Sequence, residues 1–391
     1  MSRRLTFYEF FAGGGMVHAG LGNGWECLVA NDFNPMKCAT YAENWGSEKL
    51  IPGDIGRISE RNLPGEADLA WASFPCQDLS LAGGYKGLGR LADDAKTRSG
   101  TFWLFHEKMR ALKSLGRRPR AIVLENVYGT LTSHGGVDFA SIISSVAELG
   151  YRLGAMVIDA VLFVPQSRPR LFGVALRDDV FVPTHLISSE PISVWHPPKL
   201  TEAYERIDQK VRDRWIWWQL RIPGTRTRNF VDIIEKNPDG VRWDAPEKTT
   251  YIMGLMSTLN RSKVAKAKKS GKLMVGAVYR RTRPDEKGDK RQRAEVRFDD
   301  VAGCLRTPAG GSSRQSIIIV DGAQVRTRLL SPREAARSMG LSDTYKLPAR
   351  YNDAYHVCGD GVVVPVVAHL AKNLLEPILV PGFEHVADAA E

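Results

Sequence analysis

At 391 residues and 43% apolar composition, the chain is long enough to bury a sizeable core and to divide into two domains, which excludes a disordered or fibrous protein. Its five cysteines, Cys27, Cys38, Cys76, Cys304 and Cys358, have neither the close pairing of a zinc site nor the density of a secreted disulfide scaffold. No apolar signal core follows Met1-Ser2-Arg3-Arg4 and no 18-residue apolar run occurs, so a soluble cytoplasmic protein is expected. The net charge of +10 points to an anionic partner.

Residues 5–11 read as a strand, followed by the glycine-rich turn Ala12-Gly13-Gly14-Gly15 and a helix from about Met16. A second strand over 25–30 ends at Asn31-Asp32-Phe33, with the acid at close to the spacing of a residue that grips ribose hydroxyls. The turn lacks GxGxxG spacing and so requires no pyrophosphate. It also fits a cofactor that approaches the backbone without phosphates, such as S-adenosylmethionine. A short strand ends at Gly53-Asp54-Ile55, and a buried-type strand over 67–73 leads into Phe74-Pro75-Cys76-Gln77. Helical spacing marks 100–115 and 138–149, the strand run 121–124 ends in Glu125-Asn126-Val127, and strands over 151–164 and 171–176 follow. This alternation predicts a doubly wound, mainly parallel α/β sheet.

In such a sheet ligands bind at the carboxyl ends of strands, which places Cys76 and Glu125 in one crevice. Backbone amides in the turn after Pro75 favour the thiolate, and the pair suggests covalent catalysis with proton transfer.

Beyond Pro183 the pattern breaks, with prolines at 191, 197 and 198 and tryptophans at 195, 215, 217 and 218. Residues 261–297 hold 14 Lys or Arg against four acids, Asp285, Glu286, Asp289 and Glu295, a surplus equal to the whole net charge. A surplus confined to one segment argues for a local polyanion-binding surface. Within it, 263–272 reads as a solvated lysine-rich loop giving diffuse attraction, whereas Arg280, Arg281 and Arg283 beside Tyr279 suit phosphates and base edges. Regular structure returns from Leu330, with a helix over 332–337 that has proline in its first turn, then an apolar segment over 362–375 broken by Pro365.

Taken in order, six of these segments resemble the motifs of the cytosine-5 DNA methyltransferase family, S-adenosylmethionine-dependent enzymes of the prokaryotic restriction-modification type. They are Phe11-Ala12-Gly13-Gly14-Gly15, Phe74-Pro75-Cys76-Gln77, Glu125-Asn126-Val127, Gln166-Ser167-Arg168-Pro169-Arg170, the late helix within 330–341, and Gly359-Asp360-Gly361-Val362. The resemblance implies a Rossmann-like methyltransferase sheet with a smaller, irregular target-recognition domain. Its expected boundaries are a catalytic and cofactor-binding domain over 1–182, target recognition over 183–327, and a segment over 328–391 that returns to the catalytic domain.

By the same resemblance, Cys76 attacks C6 of a flipped-out cytosine, Glu125 donates a proton to N3, and Arg168 holds O2. Pro75 and Asn126 shape the base pocket, and Gln166 and Arg170 brace it. Around the cofactor, Phe11 lies beside the adenosine at the turn of Gly13 and Gly15, Asp32 takes the ribose, and Phe33 stacks on adenine. Asp54, with Ile55, meets the exocyclic amine, Phe102 approaches from the far side, and Asp360 and Val362 touch the methionine end. Three positions depart from the family pattern: Met16 replaces a glycine, Asp360 stands where asparagine is usual, and Leu79 where phenylalanine is frequent. Cys304 reads as a packing residue in a loop, 305–311, that meets DNA.

The implied partner is double-stranded DNA, met by a monomer in the prokaryotic cytoplasm at the nucleoid, functionally paired with a restriction endonuclease and without membrane contact. Other readings stay open from sequence. A transfer RNA cytosine-5 methyltransferase would share every catalytic residue, and a DNA-binding regulator could keep a silent methyltransferase fold. A nicotinamide-dependent oxidoreductase would leave Cys76 and Glu125 without roles.

Overall fold

The computed structural model describes residues 3–75, 100–284, 289–307 and 314–380. The chain divides into two compact units, one of Met1–Asp159, Pro169–Pro223 and Val362–Glu391, the other of Ala160–Arg168 and Gly224–Gly361.

In chain order the first unit contains β1 (Leu5–Phe10), α1 (Met16–Leu21), β2 (Trp25–Asp32), α2 (Pro35–Trp45), β3 (Leu50–Pro52), β4 (Leu69–Ala72), α3 (Thr101–Ser114), β5 (Ala121–Val127), α4 (Val137–Glu148), β6 (Tyr151–Asp159) and β7 (Pro169–Arg177). Short elements follow: β8 (Ile187–Ser188), α5 (Pro198–Tyr204), α6 (Gln209–Arg212) and β9 (Trp217–Trp218). Seven strands form one sheet in the order β3-β2-β1-β4-β5-β7-β6. The strands β1 to β5 pair in parallel, while β7 runs antiparallel to both β5 and β6. Every residue of β4 is buried, as a central strand covered on both faces requires. The sequence order of strands reverses between β1 and β4, and the carboxyl ends at such a switch point open into a ligand crevice.

The second unit holds α7 (Pro246–Gly254), α8 (Thr258–Lys269), β10 (Met274–Pro284), β11 (Lys290–Arg297), β12 (Ser316–Asp321), β13 (Gln324–Leu329), α9 (Pro332–Ser338) and α10 (Tyr351–Asp360). Its four strands form an antiparallel sheet in the order β11-β10-β12-β13, packed on a small core that includes Ile252, Val264, Val278, Val296 and Ile318. A buried ion pair between Arg328 and Glu334 ties β13 to α9 through two hydrogen bonds of 2.7 and 2.6 Å. Glu334 also completes a capping box with Ser331, which starts α9 where the proline spacing places it.

The chain then rejoins the first unit through α11 (Val364–Leu370) and α12 (Glu376–Leu379). At Gly20 of α1 a side chain would collide with Val367 and the Val364 carbonyl of α11, so this glycine lets the two helices meet. Arg120 donates to Leu379 O at 2.7 Å and Trp25 to Glu376 at 2.9 Å, fixing the returning segment. Residues 351–379 are long and apolar enough to cross a membrane by length and composition alone. They are broken between α10 and α11, and Val366, Val367, Leu370, Leu374 and Leu375 are buried in the protein.

The expected boundaries at 183 and 327 differ from these units. Residues 183–223 pack with the first sheet because Trp195 accepts from Val157 N at 2.8 Å and donates to Leu220 O at 2.8 Å, while Ile216 N donates to Leu153 O at 2.9 Å. Tryptophans that break an alternating pattern here close the edge of the sheet. The lysine-rich stretch 263–272 is mostly the helix α8 rather than a loop, since Ser257 caps it and Val264 and Ala267 give it a buried stripe.

Candidate active site

The glycine turn after β1 needs backbone that most side chains resist. Phe11, Gly13 and Gly15 all have positive φ, at 58°, 58° and 78°. A Cβ on Gly13 would meet nothing within 4 Å, leaving open space beside the turn, whereas on Gly15 it would strike Trp45. Trp45 donates from Nε1 to Gly14 O at 3.2 Å and stacks on His18 at 4.3 Å. Asp32 accepts from Gly13 N and from Asn34 N, both at 2.8 Å, so its carboxylate joins the end of β2 to the turn. Asn31 donates to Ile51 O and Gly53 O at 2.8 and 2.9 Å, which ties in the end of β3.

Phe33 stands 62% exposed beside these strand ends. Asp54 is exposed and accepts from Gly56 N at 2.7 Å. Ile55 and Phe102 are buried in the core, and the Phe102 ring packs 5.3 Å from that of Phe74. Phe102 thus reaches the end of β4 through its packing on Phe74.

At the next pair of strands Ala72 stands opposite Leu124, so Phe74-Pro75 and Glu125-Asn126 leave β4 and β5 at the same end. Asn126 Nδ2 donates to Phe74 O at 3.2 Å, while its Oδ1 accepts from Val127 N at 2.8 Å and Thr130 Oγ1 at 3.2 Å. The acid motif is thus bonded to the residue two places before Cys76. Cys76, Gln77 and Leu79 lie outside the described residues. Glu125, 6% exposed, pairs with Arg170 Nε at 3.3 Å. Arg170 reaches it from β7, where it stands opposite Val127.

Three of the other thiols are poor nucleophiles. Burial pushes Cys27 and Cys358 up to about 12 and Cys38 up to about 11, in each case favouring the neutral thiol. Burial likewise pushes the Glu9 carboxyl, under the start of α1, well above the usual carboxylate range. Neither Glu9 nor Trp45 was distinguishable in sequence; the only signal is an acid inside an otherwise apolar strand and a tryptophan just before Gly46.

Gln166, Arg168 and Asp360 belong to the second unit. Gln166 donates to Ser338 O at 2.8 Å and accepts from Leu305 N at 2.9 Å. Arg168 is 2% exposed; Nη1 donates to Leu305 O at 2.8 Å and Cys304 Sγ at 3.4 Å, and Nη2 to Gly359 O at 2.8 Å and Gly361 O at 2.9 Å. These four bonds use all its terminal N–H groups on the chain itself. They fix Arg168 to residues 304–305 and 359–361, while the arginine beside Glu125 is Arg170. Cys304 is half-buried and accepts from Arg168, and 308–313 of its loop lie outside the described residues. Asp360 ends α10 and is exposed, and Val362, in the first unit, is buried.

Arg280 and Arg281 are exposed on β10, while Arg283 is described by its backbone register alone.

The family model for C-5 cytosine-specific DNA methylases matches residues 5–376. The chain belongs to that family, and its enzyme class is DNA cytosine-5 methyltransferase. Among curated relatives, the type II methyltransferase M.BsuFI of Bacillus subtilis is 32% identical over 96% of this chain and 74% of its own length. The type II methyltransferase M.HhaI of Haemophilus parahaemolyticus is 26% identical over 95% and 94%. Solved structures share the fold: the Entamoeba histolytica methyltransferase EhMeth at TM-score 0.59 and 13% identity, covering 96% of this chain and 98% of that one, and the S. pombe Dnmt2 methyltransferase at 0.54 and 17%, covering 96% and 99%.

Proposed function

We propose that the protein methylates C5 of a flipped-out cytosine within a specific duplex DNA sequence through a covalent bond from Cys76 to C6. The observation that carries this reading is the bond from Asn126 to Phe74 O, which ties the acid motif to the start of the nucleophile motif on adjacent strand ends. Cys76 adds to C6 as a thiolate while Glu125 delivers a proton to N3, so that the electron pair pushed into the ring resides at C5 rather than as a full charge. S-adenosylmethionine supplies the electrophilic methyl group that C5 takes. Loss of the C5 proton to a base then expels Cys76 as the thiolate, and the N3 proton returns to Glu125, which restores the aromatic ring. Arg170 holds Glu125 in place, with Pro75 and Asn126 walling the pocket. Arg168 and Gln166 act at one remove, by fixing the 304–305 and 359–361 backbone.

The open side of the glycine turn and the exposed Phe33 fit an adenosine-bearing cofactor. Phe33 stacks on the adenine, Asp54 and Ile55 border it, and Phe11, Gly13 and Gly15 shape the backbone beneath. Asp32 keeps a lone pair on each oxygen for ribose hydroxyls while it anchors the turn. Asp360 and Val362 lie toward the methionine end. Unit boundaries aside, the second unit recognises the target, with Arg280, Arg281 and Arg283 as DNA contacts. The protein works as a cytoplasmic monomer at the nucleoid beside a companion restriction endonuclease.

The test is a trap. On duplex DNA carrying 5-fluorocytosine at the target, with S-adenosylmethionine, fluorine cannot leave as a cation, and a complex that survives a denaturing gel is expected. A substrate duplex that gives no such band overturns the covalent route, and methyl transfer to transfer RNA in place of duplex DNA overturns the substrate.

A further inference from the structure

The pairing of β10 with β12 ends at Val278, whereas its pairing with β11 continues from Arg280 opposite Ala294 to Pro284 opposite Lys290. Among the described residues, the outer half of β10 and β11 thus extends beyond the sheet as a ribbon of two strands. At roughly 3.3 Å per residue it reaches on the order of 15 Å, more than the ~8.5 Å depth of the DNA major groove, whose ~12 Å width admits such a ribbon.

Directly opposed residues in an antiparallel pair share a face. Arg281 stands opposite Arg293, and Arg283 opposite Arg291. The guanidinium groups of Arg281 and Arg293, facing each other on exposed strands, disfavour the ribbon by themselves, and an anion or a row of acceptors between them removes that cost. Glu295 offers Arg281 only a 3.8 Å contact at a half-exposed position. Arg281 also lies 5.7 Å over the Tyr279 ring, which directs its stem along the ribbon. Arg280 shares its face with Ala294, which is buried in the small core, so it belongs to the opposite side.

We propose that this ribbon enters the major groove of duplex DNA and that Arg281 and Arg293, as a facing pair, read guanine edges there, while Arg280 contacts phosphate. The inference rests on the methyltransferase reading and adds to it Arg293, Arg291 and a division of labour between the two faces. Arginine suits the role because its planar fork donates two hydrogen bonds to O6 and N7 of guanine. Every duplex containing cytosine also presents a guanine.

The experiment first maps the methylated sequence by bisulfite sequencing of host DNA, then measures binding of the whole protein to that site and to a scrambled duplex. Arg281→Ala and Arg293→Ala are expected to weaken the target site about 5- to 150-fold, equivalent to about 1 to 3 kcal/mol, and to relax preference at one base pair. Arg280→Ala should weaken both duplexes alike and lower the slope of log affinity against log salt by about one. Replacing target guanines by 7-deazaguanine should weaken the wild type and weaken Arg293→Ala less, leaving only the double variant Arg281→Ala/Arg293→Ala indifferent. Arg293→Lys, which keeps the charge but not the planar fork, should bind the scrambled duplex like the wild type without regaining the preference at that base pair. Equal losses on both duplexes for Arg281→Ala and Arg293→Ala, with no response to 7-deazaguanine, overturn the ribbon while leaving the enzyme intact. A wild type that methylates no duplex overturns the function itself and the ribbon with it.

Discussion

The two units differ in where they put their charge. In the first, the groups proposed for chemistry sit at the ends of strands buried on both faces, and each is held by a second residue: Glu125 by Arg170, Asn126 by Phe74, Asp32 by Gly13 and Asn34. In the second, arginines stand exposed along a ribbon, while the unit's own integrity rests on a different arginine, Arg328, paired with Glu334 at 0% exposure for both. Bond-making needs a fixed geometry sheltered from water, whereas contact with a polyanion needs charges left accessible to it.

The largest effect should come from the buried pair. Glu334→Ala strands the Arg328 guanidinium and removes the Glu334 half of the α9 capping box, and a loss of about 3–5 kcal/mol is expected. Hydrogen exchange should show β12 and β13 opening while β4 and β5 stay protected. If both sheets open together, the units are not energetically separate.

Next, Glu125→Gln keeps the shape but not the mobile proton. Methyl transfer should fall about 10²-fold or more, with DNA affinity and melting temperature retained. Turnover near wild type would make Glu125 a structural partner of Arg170 and move the acid elsewhere.

Gly20→Ala forces a methyl group into Val367 and the Val364 carbonyl, costing about 1–3 kcal/mol by overpacking. A thermal melt should register the loss in the first unit, with salt-dependent DNA binding by the second unit unchanged. An unchanged melt would show that α11 yields freely.

The smallest effect is a pH dependence. Burial lowers His18 and His196, both in the first unit, to about 4. A histidine lowered on folding stabilises the fold fully above its usual value near 6.5 and loses that contribution as pH falls toward about 4, because the unfolded chain then binds the extra proton. Each should contribute on the order of 1 kcal/mol after screening by solvent. Melting temperature followed from pH 7.5 to 4.5 should fall, and His18→Gln should flatten part of that fall. Because the raised Glu9 carboxyl acts in the opposite direction over the same window, the deciding result is the comparison: a profile unchanged by His18→Gln would mean that this ring protonates without cost.

The strand ends were legible because a strand buried on both faces leaves a continuous apolar run that must stop where polar chemistry begins. Phe74-Pro75 and Glu125-Asn126 follow such stops, and the glycine turn follows a third. The helix α9 was equally readable, since Ser331, Pro332 and Glu334 are local signals that act within one turn. That residues 183–223 fall with the first unit is not written in the local sequence, because tryptophans report burial but not what they are buried against, and Trp195 finds Val157 and Leu220 only after the chain has folded back.

Local sequence determined the order of elements, the glycine turn and the acid at the end of β5, all fixed by period, turn chemistry and capping over a few residues. Tertiary structure alone decided that Arg170 rather than Arg168 meets Glu125, that Asp32 braces the turn, and that Arg281 faces Arg293 across a ribbon. Those are pairings between segments far apart in sequence or at strand registers, and no local propensity records which of two nearby arginines will find the acid.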